Sequence, residues 1–146
     1  MSQEKYIQVM KMNMITTIIE LKQGEYNKND LLEIDDDIYK EGQLDDIYKQ
    51  SSVYIIHYPM GIEPKYSLDV IKSIDVQNIK IEHFCSTKGG SSGAPIINLD
   101  TYRVIGIHLG KNKYKNSNVG VVLKSPIQEF NDKHKNKMGS NINNII

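Results

Sequence analysis

Short strand-like runs follow one another through the second half of the chain. In order they are SVYIIHY, YSLDVIKSI, IKIEHF, APIINL, RVIGIHL and VGVVLK. β-Branched and aromatic side chains are common in these runs, whereas Pro59, Gly61, Asp75 and Asp100 lie in the turns between them. Six strands in roughly seventy residues is the density of an antiparallel barrel or sandwich. The sequence therefore predicts an all-β domain from residue 52 onward.

The composition is that of a globular domain, and it excludes several classes of function. The chain has 146 residues, of which 39% are hydrophobic and 25% are charged, enough to bury one core. A formal net charge of 0 gives no electrostatic footprint for nucleic acid or for a membrane surface. No apolar run has the length of a membrane span, and one cysteine cannot form an internal disulfide. We therefore expect a cytoplasmic protein with no secretory signal, no cofactor and no metal ion.

The two ends of the chain differ from the strand-rich region. Residues 14–22, MITTIIELK, predict one strand, and residues 23–50 are polar and acidic. The sequence DDIYK occurs twice in the acidic stretch, but two copies are too few for a repeat fold, so we expect a solvated connector with a helical turn. Ser125 and Pro126 are typical of a helix start, as N-cap and first helical residue, and residues 135–146 predict a disordered tail.

A serine lies in a glycine-rich turn between the third and fourth of the predicted strands. The segment reads CSTKGGSSGAP, from Cys85 to Pro95, and it sets Ser92 directly before Gly93. A serine on a tight turn exposes its hydroxyl and gathers backbone N–H groups around it, as acyl-transfer enzymes require for a nucleophile and its oxyanion hole. The alternative is a flexible Ser/Gly turn, which the flanking strands disfavour. Cys85 is expected to be a small buried residue.

This segment resembles the nucleophile loop of trypsin-like serine endopeptidases. Within them it is most similar to the glutamyl-endopeptidase type, which carries S-T-x-G-G-x-S-G-x-P. RVIGIHLG resembles that type's V-I-G-I-H strand, and NVGVVLKSPIQEF resembles its last strand and C-terminal helix. These features occur in the family's order, which is more specific than a lone G-x-S-G. The resemblance spans residues 52–130 and implies the second of the family's two barrels, a six-stranded antiparallel Greek-key barrel with a short C-terminal helix.

The resemblance also implies site residues. Ser92 takes the place of the nucleophile, and the N–H groups of Gly90 and Ser92 would form the oxyanion hole. Thr87 and His108 would line the pocket for the P1 side chain, where a hydroxyl and an imidazole favour an acidic or amide group. His108 as a half-buried structural histidine is the alternative. The substrate or ligand would be a polypeptide that pairs, as an added strand, with Leu109, Gly110 and Lys111.

Two members of the family's catalytic triad have no counterpart in the sequence. The family's histidine lies well upstream, in a motif such as T-A-A-H, but no histidine precedes His57 here. The family's aspartate would open the strand MITTIIELK, where this chain has Ile15. Ser91 replaces the aspartate that pairs with a freed N-terminus in the secreted digestive branch, so activation by cleavage is not implied. His57, His83 and His134 match no family motif and are expected to be strand or tail residues.

Three interpretations therefore stay open, and enzyme activity is undecided among them. In the first, the chain is a truncated trypsin-like serine endopeptidase that is inactive alone because it lacks a base. Residues 1–51 would be the remnant of the first barrel and an acidic connector, and residues 52–134 would be the C-terminal barrel and helix. In the second, the chain is a pseudoprotease that binds extended acidic peptides, which the loss of a carboxylate at Ile15 favours. The third is an unrelated β-barrel adaptor with a coincidental serine turn.

Overall fold

Eight strands and two α-helices form the regular elements of the structure, a computed structural model that describes residues 6–11, 14–19, 24–27, 29, 31–40, 42–77 and 79–135. The strands are β1 (Tyr6–Lys11), β2 (Met14–Ile19), β3 (Ser52–His57), β4 (Lys65–Asp75), β5 (Lys80–His83), β6 (Pro95–Asn98), β7 (Val104–Lys111) and β8 (Asn118–Val122). The helices are α1 (Leu44–Tyr48) and α2 (Lys124–Lys135), and short 3-10 helices cover Asp36–Tyr39 and Pro59–Gly61.

The strands β3 to β8 form a closed antiparallel barrel. Their order around the barrel is β3-β4-β5-β8-β7-β6, and β6 pairs back onto β3. Strands β6, β7 and β8 are neighbours in sequence and in space, while β5 lies beside β8, which is the Greek-key arrangement. The predicted all-β fold, a six-stranded Greek-key barrel with a short C-terminal helix, is confirmed.

Alternation along the strands fills the barrel interior. In β3 the side chains of Val53, Ile55 and His57 are buried, and those between them are more exposed. A six-stranded barrel is narrow, so opposite strands come close together inside it. At Gly106 an added Cβ would collide with the Val121 carbonyl oxygen and the Ile81 side chain. The space that Gly106 leaves beside His108 is therefore filled by Ile81 and is not open.

The acidic segment before the barrel is part of its core. It has the predicted helical turn, but the interpretation as a solvated connector is wrong, because Ile38, Leu44 and Tyr48 are buried to 2% exposure or less. Its backbone is tied to the barrel at two places: Asp35 N–H donates to Val104 O at 2.9 Å, and Gln50 N–H donates to Ile71 O at 2.8 Å. Glu33, Asp36 and Asp46 are exposed, whereas Asp35 is buried and accepts a hydrogen bond from Thr101 Oγ1 at 3.0 Å.

The chain divides into two compact units. One is Leu32–Leu123, which contains the barrel and the acidic segment. The other contains the hairpin of β1 and β2 together with α2. The sequence predicted the second strand of this hairpin, within residues 14–22, but not β1, which pairs with it. Helix α2 begins at Lys124, one residue before the predicted N-cap Ser125, a difference within the usual uncertainty of helix ends. Residues 136–146 of the predicted tail lie outside the described residues.

Candidate active site

The serine turn connects β5 to β6 and lies beside the end of β7. Gly93 N–H donates to His108 O at 2.8 Å, and His108 N–H donates to Ala94 O at 2.8 Å. These two hydrogen bonds continue the pairing of β6 with β7 into the turn. The turn is therefore anchored on the strand that the sequence predicts to bind substrate.

The side chain of Ser92 is exposed at the surface of this turn. Its hydroxyl donates a hydrogen bond to the Leu109 carbonyl oxygen at 2.8 Å. Among the described residues no imidazole hydrogen-bonds to Ser92, so the hydroxyl is accessible but has no base beside it.

The backbone of the serine turn has both bonded and unbonded N–H groups. Gly90 has a φ of 87°, a left-handed conformation that favours glycine. Neighbouring N–H groups have partners within the turn, with Ser91 N–H donating to Lys88 O and Ala94 N–H donating to Ser91 O. Within the hydrogen bonds of the described residues, none uses the N–H of Gly90 or of Ser92. An oxyanion hole requires N–H donors that are not already used in the fold, so these two groups are available for that role.

Ser91 forms a contact that the sequence did not predict. In contrast to Ser92, Ser91 is 1% exposed, and its Oγ lies 2.7 Å from Nδ1 of His57, a buried residue of β3. His57 was expected to be an ordinary strand residue. Its inward position in the alternating pattern of β3 is a signal for a partner, because a buried polar side chain requires a hydrogen bond.

His108 is fully buried and paired with a second histidine. Its Nδ1 lies 3.1 Å from Nε2 of His83, and the two rings meet edge to face. Burial lowers the pKa of both imidazoles to about 4. A neighbouring histidine lowers each pKa further by a smaller amount, His108 in the case of His83 and His57 in the case of His108. Both rings are therefore neutral near pH 7. His83 was expected to be an ordinary strand residue, but its side chain contacts His108, a predicted site residue.

Thr87 lines a cavity to which His108 does not contribute. It is half-buried and lines an open cavity of about 380 Å³ together with residues of the β3–β4 connection. The residues that line this cavity include His57 and Lys88 but not His108. The two residues predicted to form one P1 pocket thus do not share this cavity.

The end of β7 has one open edge. Gly110 and Lys111 pair with Val119 and Asn118 of β8, and a bulge falls between His108 and Gly110. On the side away from β8, no strand in the described part of the chain pairs with residues 109–111. Leu109 and Lys111 are exposed, and the Leu109 carbonyl oxygen accepts the hydrogen bond from Ser92.

The loop that follows this edge is fixed by Glu82. Ser117 Oγ donates to Glu82 Oε1 at 2.5 Å, and Lys115 Nζ lies 3.2 Å from Glu82 Oε2. Lys72 Nζ, from β4, lies 3.2 Å from Glu82 Oε1. The hydrogen bond from Ser117 and the two lysines lower the pKa of Glu82 to about 2, against the opposing effect of burial. One carboxylate therefore joins β4, β5 and the β7–β8 loop.

The remaining candidates have simple roles or are not described. Cys85 is a small buried residue as predicted, and burial raises the pKa of its thiol to about 11. The side chains of Ile15 and His134 lie outside the described part of the structure. No three His, Cys, Asp or Glu side chains of the described residues are grouped to hold a metal ion. None of the described helices is long and apolar enough to cross a membrane.

Solved structures match this chain in fold at low sequence identity. A serine endoprotease from Yersinia pestis has a TM-score of 0.63 and 12% identity, over 88% of this chain and 44% of its own. Rv3671c from M. tuberculosis H37Rv, an inactive serine-to-alanine mutant, has a TM-score of 0.54 and 13% identity, over 75% and 56%. The HtrA-type protease AlgW with a decapeptide has a TM-score of 0.55 and 13% identity, over 83% and 37%.

These matches cover only part of each solved structure. The chain spans about half or less of the length of the solved structures it matches. No protein-family model matches the sequence, and no curated protein does. Identities of 12% to 13% establish a common fold only. The barrel has the fold of trypsin-like and HtrA-type serine proteases.

Proposed function

We propose that this chain supplies the serine-bearing barrel of a trypsin-like serine endopeptidase, with Ser92 as the nucleophile. The observation that supports this most is the exposed Ser92 hydroxyl in a turn whose Gly90 and Ser92 N–H groups have no hydrogen-bond partner in the described part of the chain. In the reaction, Ser92 Oγ attacks the scissile carbonyl carbon and its proton passes to a base. The N–H groups of Gly90 and Ser92 stabilise the resulting oxyanion, at roughly 3 kcal/mol per donor.

We also propose that this chain does not hydrolyse peptides alone. Ser92 donates to the Leu109 carbonyl, which cannot act as a general base at neutral pH. Without a base, the oxyanion hole and binding leave an acceleration of only about 10³ to 10⁴ over water in enzymes of this mechanism. The base and the carboxylate that orients it would come from a part of the active protein that has no counterpart in this sequence.

A second candidate function is peptide binding without catalysis. It is favoured by the open edge at residues 109–111, because an extended peptide can add there as a strand. The HtrA-type neighbour was solved with a decapeptide, which supports peptide binding by this fold. The half-buried Thr87 is accessible to an acidic or amide P1 side chain, whereas the buried His108 does not line the same cavity. The exposed Lys111 would favour acidic neighbours.

A fluorophosphonate probe with and without added imidazole tests the nucleophile. Imidazole is a small soluble base that can take the proton of an accessible serine, so it should increase labelling at Ser92 at least tenfold. Labelling should vanish in Ser92→Ala and persist in Ser86→Ala, which removes another exposed serine of the loop. Peptide hydrolysis by the isolated chain should not exceed that of Ser92→Ala.

The outcomes separate the two candidates. Rapid labelling of Ser92 without imidazole would show that the chain contains its own base, contrary to the proposal. Labelling that imidazole does not change would reject Ser92 as a nucleophile. If an extended acidic peptide then still binds, and Lys111→Gln at the open edge weakens its binding without unfolding the barrel, the binding module is favoured.

A further inference from the structure

Two adjacent serines of the turn have opposite environments. Ser91 is 1% exposed and bonded to His57, whereas Ser92 is exposed and bonded to the backbone of β7. Successive side chains of this tight turn point to opposite sides. Holding the Ser91 hydroxyl inward therefore restricts the turn to conformations in which the Ser92 hydroxyl faces solvent.

The Ser91 hydroxyl also closes the turn on its other side. It accepts a hydrogen bond from Lys88 N–H at 3.2 Å, and Ser91 N–H donates to Lys88 O at 3.1 Å. If Ser91 donates to His57 Nδ1 while it accepts from Lys88, all three groups are satisfied. This arrangement needs an unprotonated Nδ1 and places the imidazole proton on Nε2. Nδ1 of His57 is then the acceptor that keeps the hydroxyl buried.

The residues directly after His57 hold the neighbouring peptide of the turn. Met60 N–H donates to Gly89 O at 2.6 Å, and Met60 has a φ of 61°, which is uncommon for a residue other than glycine. A Cβ at Gly90 would lie 3.0 Å from Tyr58 O, so this connection packs directly on Gly90. A strained backbone that touches a functional turn is a feature of sites under positional constraint. One segment of the chain thus contacts Gly89, Gly90 and Ser91.

We propose that His57 is a positioning residue for the oxyanion hole, which it holds in place through Ser91. The inference rests on the proposed function of Gly90 and Ser92 as oxyanion donors. His57 hydrogen-bonds to the buried Ser91, not to Ser92, so it does not act as the missing base. Loss of this bond releases the Ser91 hydroxyl and lets the N–H groups of Gly90 and Ser92 turn away from their shared site.

The test compares two substitutions of similar size in the full chain. Asn at position 57 carries a polar atom as far along the side chain as Nδ1, so His57→Asn can still bond Ser91, whereas His57→Leu cannot. The ligands are one product-like acidic peptide with a C-terminal carboxylate and the same peptide with a C-terminal amide. The carboxylate can accept from Gly90 and Ser92, so wild type should prefer it.

The expected result is a selective loss of this preference. His57→Leu should weaken carboxylate binding roughly threefold to tenfold, as for the loss of one hydrogen bond, and should leave the amide peptide unchanged. His57→Asn should restore most of the preference. Adding His57→Leu to Ser91→Ala should have no further effect, because both act through one bond. Equal losses for both peptides, or additive effects of the two substitutions, would overturn the proposal.

A measurement on the free protein separates this proposal from the proposed function. The NMR amide signals of Gly90 and Ser92 should shift in His57→Leu and stay near their wild-type positions in His57→Asn. If wild type binds no carboxylate peptide but these shifts occur, the function is wrong and the positioning role is supported. Unchanged signals in a folded His57→Leu would reject the positioning role whatever the peptides show. Should His57→Leu fail to fold, Ser91→Ala must give the same selective loss and the same shifts, and their absence would overturn the proposal.

Discussion

At the scale of single residues, glycine decides how closely the strands of this barrel approach. Gly106 of β7 lies against the Val121 backbone and the end of Ile81, and both positions are inside the barrel. Protein interiors are packed to crystal density, so even one additional carbon must displace its neighbours. The same strand carries His108 two residues later on the same face. The close approach at Gly106 is therefore made by the same strand face that carries the buried imidazole.

Gly106→Ala should lower the free energy of unfolding by about 1 to 3 kcal/mol, because overpacking forces the backbone of β8 or the side chain of Ile81 to move. Gly89→Ala is the matched control. An added Cβ there meets nothing within 4 Å, and its φ is not in the left-handed region, so its stability should stay near that of wild type. Urea titrations of the three proteins measure both effects. Equal stability of Gly106→Ala and wild type would contradict the packing argument.

At the scale of secondary-structure elements, the strands were predictable and several of their polar contacts were not. Alternating β-branched residues and turn signals identified all six barrel strands, because that pattern reflects local chemistry. The inward histidines His57 and His83 were visible as members of strands. Their partners Ser91 and His108 lie 34 and 25 residues away, respectively, and no local pattern predicts such pairings. The serine loop was predictable because its sequence pattern is continuous.

Glu82 connects elements that the pattern of strands leaves independent. Its side chain is 12% exposed and is bonded to Ser117, Lys72 and Lys115. Glu82→Gln should reduce the free energy of unfolding at pH 7 by about 1 to 2 kcal/mol. Most of this loss comes from the charge-assisted hydrogen bond with Ser117, because ion pairs with exposed lysines such as Lys72 and Lys115 contribute little. Glu63→Gln, at an exposed carboxylate, should change it by less than about 0.5 kcal/mol.

The effect of Glu82 should depend on pH in a defined direction. Its pKa is lowered from 4.5 to about 2 in the folded protein. The carboxylate therefore contributes stability above pH 4.5, and this contribution is lost as the pH falls toward 2. The difference in unfolding free energy between wild type and Glu82→Gln should be largest near neutral pH and shrink in acid. Denaturation curves at a series of pH values measure it, and a constant difference would argue against an ionised, bonded carboxylate.

At the scale of the whole molecule, the acidic segment belongs to the unit that contains the barrel. The sequence did not predict this, because Ile38, Leu44 and Tyr48 are separated by acidic residues and form no apolar run. Their burial depends on the barrel surface that receives them. Sequence patterns identify the elements of such a unit more readily than they identify which elements share a core.

If the segment is part of the unit, it should unfold together with the barrel. Leu44→Ala in the full chain should lower the free energy of unfolding by about 2 to 5 kcal/mol, as for other buried leucines. Leu32→Ala is the control, since Leu32 is 55% exposed, and should have little effect. A loss in Leu44→Ala that appears in the segment but leaves the barrel transition unchanged would show two independent units.

The open edge of β7 also bears on self-association. Barrel closure hides strand edges, and unpaired edges are where β proteins aggregate. The open stretch covers only residues 109–111, a bulge interrupts it, and the Ser92 hydroxyl already occupies the Leu109 carbonyl. The exposed Lys111 adds a charge that repels the same residue of a second copy. The edge is therefore long enough for a few residues of a peptide and a poor template for a fibril.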